Sequence, residues 1–334
     1  MRLKLGLGKL KMGPDYLSLS DLMATNYPRQ IWLAKELVPC GALTVISASP
    51  GSYKTWLLLS TAIAVAQGSK LFGHFKVQQG RVLIIDEETG EPQLKYRLSK
   101  LGVKNELPIS FLSRKGFVAS EENISLLLLD ARAYDVRLII IDTLVNIHSG
   151  DENNPGDMTE VFKQLRRLAD VGIAVVVAHH NRKAGSRMGN SGEEMRGSSG
   201  ILAAVDCHIG VARKGKSRQV TLEQTKNRFG EELDPIKLEL VGDTKNNEDL
   251  YFEYTGQVEP QKDKSELLYK LVVQLLTENE QLNFKGLLKL LKQCGLATNE
   301  HKLRGLLNDM VEREEVIVEK GIGNTKYYVL VSKN

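Results

Sequence analysis

Ser47-Ala48-Ser49-Pro50-Gly51-Ser52-Tyr53-Lys54-Thr55-Trp56 is the stretch whose reading decides the fold. It follows the apolar run Ala42 to Ile46, expected as a buried strand, and precedes Leu57 to Gln67, whose pattern predicts a helix packed on a sheet. A strand, a turn of small residues and then Lys-Thr opening a helix make a phosphate-binding loop. The turn Pro50, Gly51, Ser52 and Tyr53, through the backbone amides that follow the proline, and the helix N-terminus surround the phosphate, Lys54 reaches the outer phosphates, and the Thr55 hydroxyl holds magnesium. The full pattern, G-x-x-x-x-G-K-[ST], has glycines where this chain carries Ala48 and Tyr53. A plain strand-to-helix turn would also fit the stretch taken alone, so the flanking sequence has to decide.

Downstream, Arg81-Val82-Leu83-Ile84-Ile85-Asp86-Glu87-Glu88 reads as a strand buried on both faces that ends in three acids. A carboxylate at such a strand end can orient and deprotonate the water that attacks a terminal phosphate. Glu87 is the first candidate for this role and Glu88 the second, while one of the three acids can serve as a cap for the helix expected from Pro92 through Leu101. The alternation continues with a strand at Ile109 to Leu112, a helix from Glu121 to Tyr134, and the apolar run Arg137 to Ile141 before Asp142 and Thr143. Four apolar residues followed by Asp142, behind a phosphate loop, is the pattern of an acid that positions magnesium, usually through water. Asn146 to Asp157 is polar loop and Met158 to Val171 an amphipathic helix. Ile173 to Ala178 is another buried strand, ending in His179-His180-Asn181-Arg182. A polar residue at the end of this strand can bond the terminal phosphate and report its loss.

The loop Lys183 to Ser199 has no core-forming pattern, and its Lys183, Arg187 and Arg196 suit phosphate contacts to a single strand, a flexible surface loop being the alternative. Strands are expected at Cys207 to Ala212, Gln219 to Gln224 and Ile236 to Val241. Between the last two lies Thr225-Lys226-Asn227-Arg228-Phe229-Gly230. Lys226 and Arg228, two residues apart, project to one side of a strand. They can act as an arginine finger and its partner in a neighbour's site, or form a solvated hairpin tip.

Length and composition set the frame for these motifs. A chain of 334 residues holds one large domain with a small one attached, and 42% hydrophobic with 26% charged residues is ordinary soluble composition. A net charge of +4 neither requires nor excludes nucleic acid, so any case for DNA rests on where the cations lie. Cys40, Cys207 and Cys294 are odd in number and widely spaced, which argues against a disulfide framework and for a reducing compartment. Gly6 and Gly8 interrupt the basic opening, so neither a targeting peptide nor a transmembrane span is expected, and the expected location is cytoplasmic. Leu17 to Leu37, with the capping signal Ser18-Leu19-Ser20-Asp21, reads as an N-terminal arm packed on the core, contact with a neighbouring subunit being the other reading. The polar, proline-bearing stretch Gly256 to Asp263 reads as a linker. Beyond it, helices at Leu267 to Leu276, Phe284 to Gln293 and Thr298 to Arg313, then two strands, follow winged-helix organisation, with charges on the third helix mixed enough to suit protein or DNA contact.

Taken together, PGSYKT, VLIIDEE, LIIIDT with the downstream GDENN, AHHNRK followed by RGSS, and TKNRFG resemble the RecA-like ATPases. The closer resemblance is to the RepA-type hexameric replicative helicases of plasmids and phages, near the DnaB branch, over roughly Leu17 to Gly242. The resemblance implies an α/β RecA-like P-loop ATPase core with a mostly parallel sheet flanked by helices; the small C-terminal winged-helix domain lies outside it. The expected division is a lead-in over 1–40, the core over 41–256, a linker over 257–264 and the winged helix over 265–334. It also implies ATP and Mg2+ as ligands, Lys54 and Thr55 on phosphate and magnesium, Glu87 as base and Asp142 as the acid near magnesium. His179 takes the sensor place and Lys226 and Arg228 act in trans. Lys183 to Ser199 would face DNA in a ring's central channel. The implied function is a ring-forming, hexameric ATP-dependent helicase or translocase on single-stranded DNA. The alternative is a regulatory or recombination-mediator ATPase without unwinding activity. A replication-initiation partner is expected at the C-terminal domain and no membrane contact. The departures at Ala48 and Tyr53 bear on nucleotide affinity, because a tyrosine adopts positive φ less freely than glycine.

Overall fold

The computed structural model describes residues 17–104, 106–151, 154–181, 198–243, 249–258, 264–295, 300–321 and 325–331. The chain divides into two compact units, Met1–Gln257 and Val258–Asn334. In the first, α1 (Leu19–Ala24), β1 (Trp32–Ala34) and β2 (Val38–Pro39) lead to β3 (Leu43–Ala48), α2 (Lys54–Gln67), β4 (Arg81–Asp86), α3 (Glu91–Lys100) and β5 (Ile109–Ser113). Then come α4 (Glu121–Ala133), β6 (Val136–Asp142), α5 (Pro155–Ala169), β7 (Ala174–His180), α6 (Ser198–Ala204), β8 (Cys207–Arg213), β9 (Gln219–Asn227), β10 (Ile236–Val241) and β11 (Tyr251–Gln257).

Nine strands form one sheet in the order β11-β10-β9-β8-β3-β7-β6-β4-β5. The pairs from β5 across to β8 are parallel, and β8 to β11 form an antiparallel meander. The unit is therefore the mostly parallel α/β sheet of a RecA-like core. The continuous apolar runs follow from burial on both faces. Along β6, Leu138 and Ile140 join the core under α2 and α3, whereas Ile139 and Ile141 join the core under α4, α5 and α6. Burying each such side chain contributes about 1.5–3 kcal/mol. Register then sets the chemistry at the strand ends. Asp86 lies beside Asp142, Ser47 beside His179 and Ala48 beside His180, so four strands deliver polar groups to the edge where the phosphate loop leaves β3.

One expectation needs correction. The N-terminal arm packs from β1 onward, with Leu33, Ala34 and Leu37 buried, whereas α1, capped by Ser18 accepting from the Asp21 amide at 3.1 Å, buries none of its residues. The core, expected over 41–256, also carries β11, a strand for which no expectation was formed, hydrogen-bonded to β10.

The second unit holds α7 (Lys264–Glu278), β12 (Leu282–Asn283), α8 (Phe284–Gln293), α9 (Glu300–Glu312), β13 (Val316–Lys320) and β14 (Lys326–Leu330). Its antiparallel sheet runs β12-β14-β13, and Val272, Leu276, Leu287, Leu291, Leu303 and Leu307 form its own core. Asn283 caps α8 by accepting from the Gly286 amide at 2.8 Å. Among the described residues of the chain, no helix is long and apolar enough to cross a membrane.

Candidate active site

The loop between β3 and α2 turns through two left-handed residues, Gly51 at φ +79° and Tyr53 at φ +64°. Lys54 begins α2 and is buried at 7% exposure, with Nζ 3.4 Å from the His179 carbonyl and 3.9 Å from Asp142 Oδ1. Thr55 donates its hydroxyl to Asp142 Oδ2 at 2.8 Å. Burial pushes the Lys54 ammonium below and the Asp142 carboxyl above their usual ranges, so desolvation outweighs their mutual attraction at this separation. Asp142 Oδ1 is buried and accepts no hydrogen bond. A buried carboxylate oxygen left open beside a threonine hydroxyl fits a hydrated divalent cation, which brings the water and charge the oxygen lacks.

The three acids at the end of β4 have separate surroundings. Asp86 is 1% exposed and closes the turn after the strand, accepting from the Thr89 and Gly90 amides at 3.0 and 2.7 Å and from the Ser113 hydroxyl at 3.2 Å. Glu87 points away from the loop. Its carboxylate accepts from the amides of Lys115, Gly116 and Phe117 at 3.1, 3.2 and 2.9 Å. Glu88 alone of the three lines the cleft over the phosphate loop. Its Oε2 lies 3.5 Å from His180 Nε2, and that contact, aided by Lys54 and Arg97, holds its carboxyl below the usual glutamate range. The strand carrying the histidines shows the same one-residue offset. The side chain of His179 is fully buried while that of His180 lines the cleft, and the His179 carbonyl lies 3.4 Å from Lys54 Nζ.

The cleft has a volume of about 320 Å³. Besides Ser49 to Trp56 it is walled by Glu88, Arg97, His180 and Arg213. Arg97, from α3, lies 6.0 Å from the Trp56 ring centroid and donates to the Thr89 hydroxyl at 3.2 Å. Arg213, from the end of β8, stacks on Tyr53. Neither arginine carries a local sequence signal for this place beyond the basic turn Arg213-Lys214-Gly215-Lys216.

A glycine-bearing turn at the end of a parallel strand, a buried lysine, a threonine on a strand-end aspartate and a facing glutamate converge in one cleft. The sequence profile described as an AAA domain matches residues 11–186, which carry all of them. The chain belongs to the AAA domain family. It is also similar to the protein named DNA repair protein RadA of Escherichia coli (strain K12), 29% identical over 225 residues, which cover 64% of this chain and 43% of that one. The proteins of the same name from Salmonella typhimurium and Haemophilus influenzae are 28% and 26% identical over 225 and 203 residues, covering 64% and 59% of this chain and 43% and 38% of theirs. The chain thus spans less than half the length of the curated relatives it matches.

Beyond the matched AAA domain, Lys226 and Arg228 sit at the end of β9 and do not line the cleft of their own chain. Arg228 bonds Asp206 Oδ1 at 3.0 Å with its side chain half exposed, and Lys226 donates to the Leu202 carbonyl. Burial, reinforced by Arg228, pushes the Lys226 ammonium down. Asp206 is a hub: it also accepts from Arg166 and, at 2.9 Å, from the amide of Leu43 at the start of β3. Lys183, Arg187 and Arg196 lie outside the described residues.

Proposed function

We propose that the cleft binds ATP with magnesium and hydrolyses it, and that the protein uses this turnover on single-stranded DNA as a ring-forming translocase or helicase. The convergence of Lys54, Thr55, Asp142 and Glu88 around one phosphate-binding turn carries the reading. Loop amides and Lys54 bind the phosphates. Thr55 and Asp142 would hold magnesium, which supplies positive charge to the phosphate oxygens. Glu88, whose carboxyl His180, with Lys54 and Arg97, holds below the usual glutamate range, orients a water and takes its proton. We therefore assign the base to Glu88, where the sequence favoured Glu87, and the polar group facing the phosphate to His180, where it favoured His179. Glu87 instead anchors the 115–117 turn.

The finer assignments rest on the resemblance to the RepA-type hexameric helicases. Lys226 and Arg228 would act on a neighbour's nucleotide across a ring interface, and Lys183, Arg187 and Arg196 would meet DNA. The second unit, with its three helices and small antiparallel sheet, would be a winged helix recruiting DNA or a replication partner. The second reading is a regulatory or recombination-mediator ATPase that does not unwind, and similarity to proteins named for DNA repair supports a DNA-associated role under either reading. Measuring ATP turnover with and without single-stranded DNA, and strand displacement on a forked duplex, separates them. DNA-stimulated turnover with displacement supports the motor, turnover without displacement supports the mediator, and no turnover removes both.

A further inference from the structure

The proposed reaction leaves two features of the cleft without a role: a tyrosine where the loop pattern carries glycine, and Arg213. Tyr53 sits at φ +64°, ψ +17°, a left-handed conformation that a residue with a Cβ adopts at a cost. Arg213 meets this residue in two ways, its Cζ lying 3.8 Å from the Tyr53 ring centroid and one terminal nitrogen donating to the Tyr53 hydroxyl at 2.7 Å. The other terminal nitrogen donates to the carbonyl of Gly51, the second left-handed residue of the loop, at 2.8 Å. Nε donates to the Ser217 carbonyl at 2.6 Å, which fixes the side chain to the β8–β9 turn. Phe252 of β11 also packs on Tyr53, edge to face with ring centroids 5.9 Å apart. Every nitrogen of the guanidinium thus already bonds a protein acceptor, and its face is covered by the ring.

We propose that Arg213 is a positioning residue that clamps the phosphate loop at Tyr53 and Gly51, imposing by contact the left-handed turn that a glycine would adopt freely. The proposal rests on the nucleotide reading of the cleft and explains how the loop tolerates its departure from the usual pattern. A guanidinium is required, because only a planar fork both stacks on the ring and reaches the hydroxyl and the carbonyl together.

The test is a double-mutant cycle over Tyr53→Gly and Arg213→Ala, with ADP and Mg2+ binding measured by calorimetry and thermal unfolding measured without nucleotide. In the native background Arg213→Ala is expected to weaken ADP binding about tenfold, comparable to the cost of an unsupported left-handed residue. In the Tyr53→Gly background the same change is expected to alter affinity less than about twofold, since glycine needs no clamp. Arg213→Lys is expected to behave as Arg213→Ala. Equal weakening in both backgrounds, or full rescue by lysine, would show that Arg213 acts as a charge on the ligand and would overturn the proposal. The thermal arm reads the clamp alone: Arg213→Ala should lower the midpoint more in the native background than in the Tyr53→Gly background, and additive shifts would overturn it. Failure of the native protein to bind ADP would remove the nucleotide reading, and the thermal arm would still decide the clamp.

Discussion

Replacing Glu87 and Glu88 separately by glutamine should give opposite outcomes, because the two neighbours do different work. The Glu87 carboxylate accepts three backbone amides, those of Lys115 and Phe117 on one oxygen and that of Gly116 on the other. Glutamine keeps one acceptor oxygen and turns an NH2 group toward at least one donor. Hydrogen bonds to a charged group are worth roughly 1.5–3 kcal/mol, and partial exposure of this site puts the net loss near the bottom of that range, about 1.5 kcal/mol. For a unit of this size that lowers Tm by roughly 3–6 °C. Turnover per folded molecule should change little. Glu88→Gln has the reverse signature: no amide is lost, Tm stays within about 1 °C, and turnover falls by roughly 10²–10⁴, as for removal of a general base. Differential scanning fluorimetry and a coupled ATPase assay on the same preparations read both. Loss of turnover in Glu87→Gln with an unchanged Tm, or near-native turnover in Glu88→Gln, would refute the assignment.

Other consequences follow from the same geometry. His208, buried between the Ser47 hydroxyl at 2.8 Å and the Thr225 hydroxyl, with His179 nearby, is pushed down to about 4 from its ordinary 6.5. The unfolded chain then binds more protons between those values, so stability should fall by about 2 kcal/mol from pH 7 to pH 5 through this group, and His208→Gln should flatten that slope in a pH series of urea titrations. Arg228→Ala should abolish DNA-stimulated ATP hydrolysis, by roughly 10³-fold or more for a finger acting in trans, while leaving assembly intact by mass measurement; unchanged activity would remove the trans role. Asp206→Ala removes the acceptor shared by Arg166, Arg228 and the Leu43 amide, and should cost about 3 kcal/mol in chemical denaturation.

The buried parallel strands were legible because apolar runs such as Val82 to Ile85 and Leu138 to Ile141 have only one comfortable place, a sheet covered on both faces. The phosphate loop, Thr55 and Asp142 were legible for the same reason, since the strand ends they occupy are fixed by those runs. Facing was less legible. At the ends of β4 and β7 successive side chains point to opposite sides, and neither Glu87-Glu88 nor His179-His180 carries a local signal saying which member turns to the cleft. Tertiary contacts decide it: the 115–117 amides capture Glu87, and burial captures His179. Arg213 and β11 were missed because their roles depend on strands brought together from distant sequence. In β11, exposed and partly buried residues alternate around Phe252, a pattern shared with polar loop. The positive φ of Tyr53 was legible as a difficulty, and its solution through Arg213 and Phe252 was not.

The most direct measurement is steady-state ATP hydrolysis, with magnesium, by the native protein and by Lys54→Ala, each with and without single-stranded DNA. The native protein should turn over ATP and do so faster with DNA, and Lys54→Ala should be inactive in both conditions while folding normally. Absence of turnover in the native protein, or equal turnover in Lys54→Ala, would contradict the assignment of the cleft.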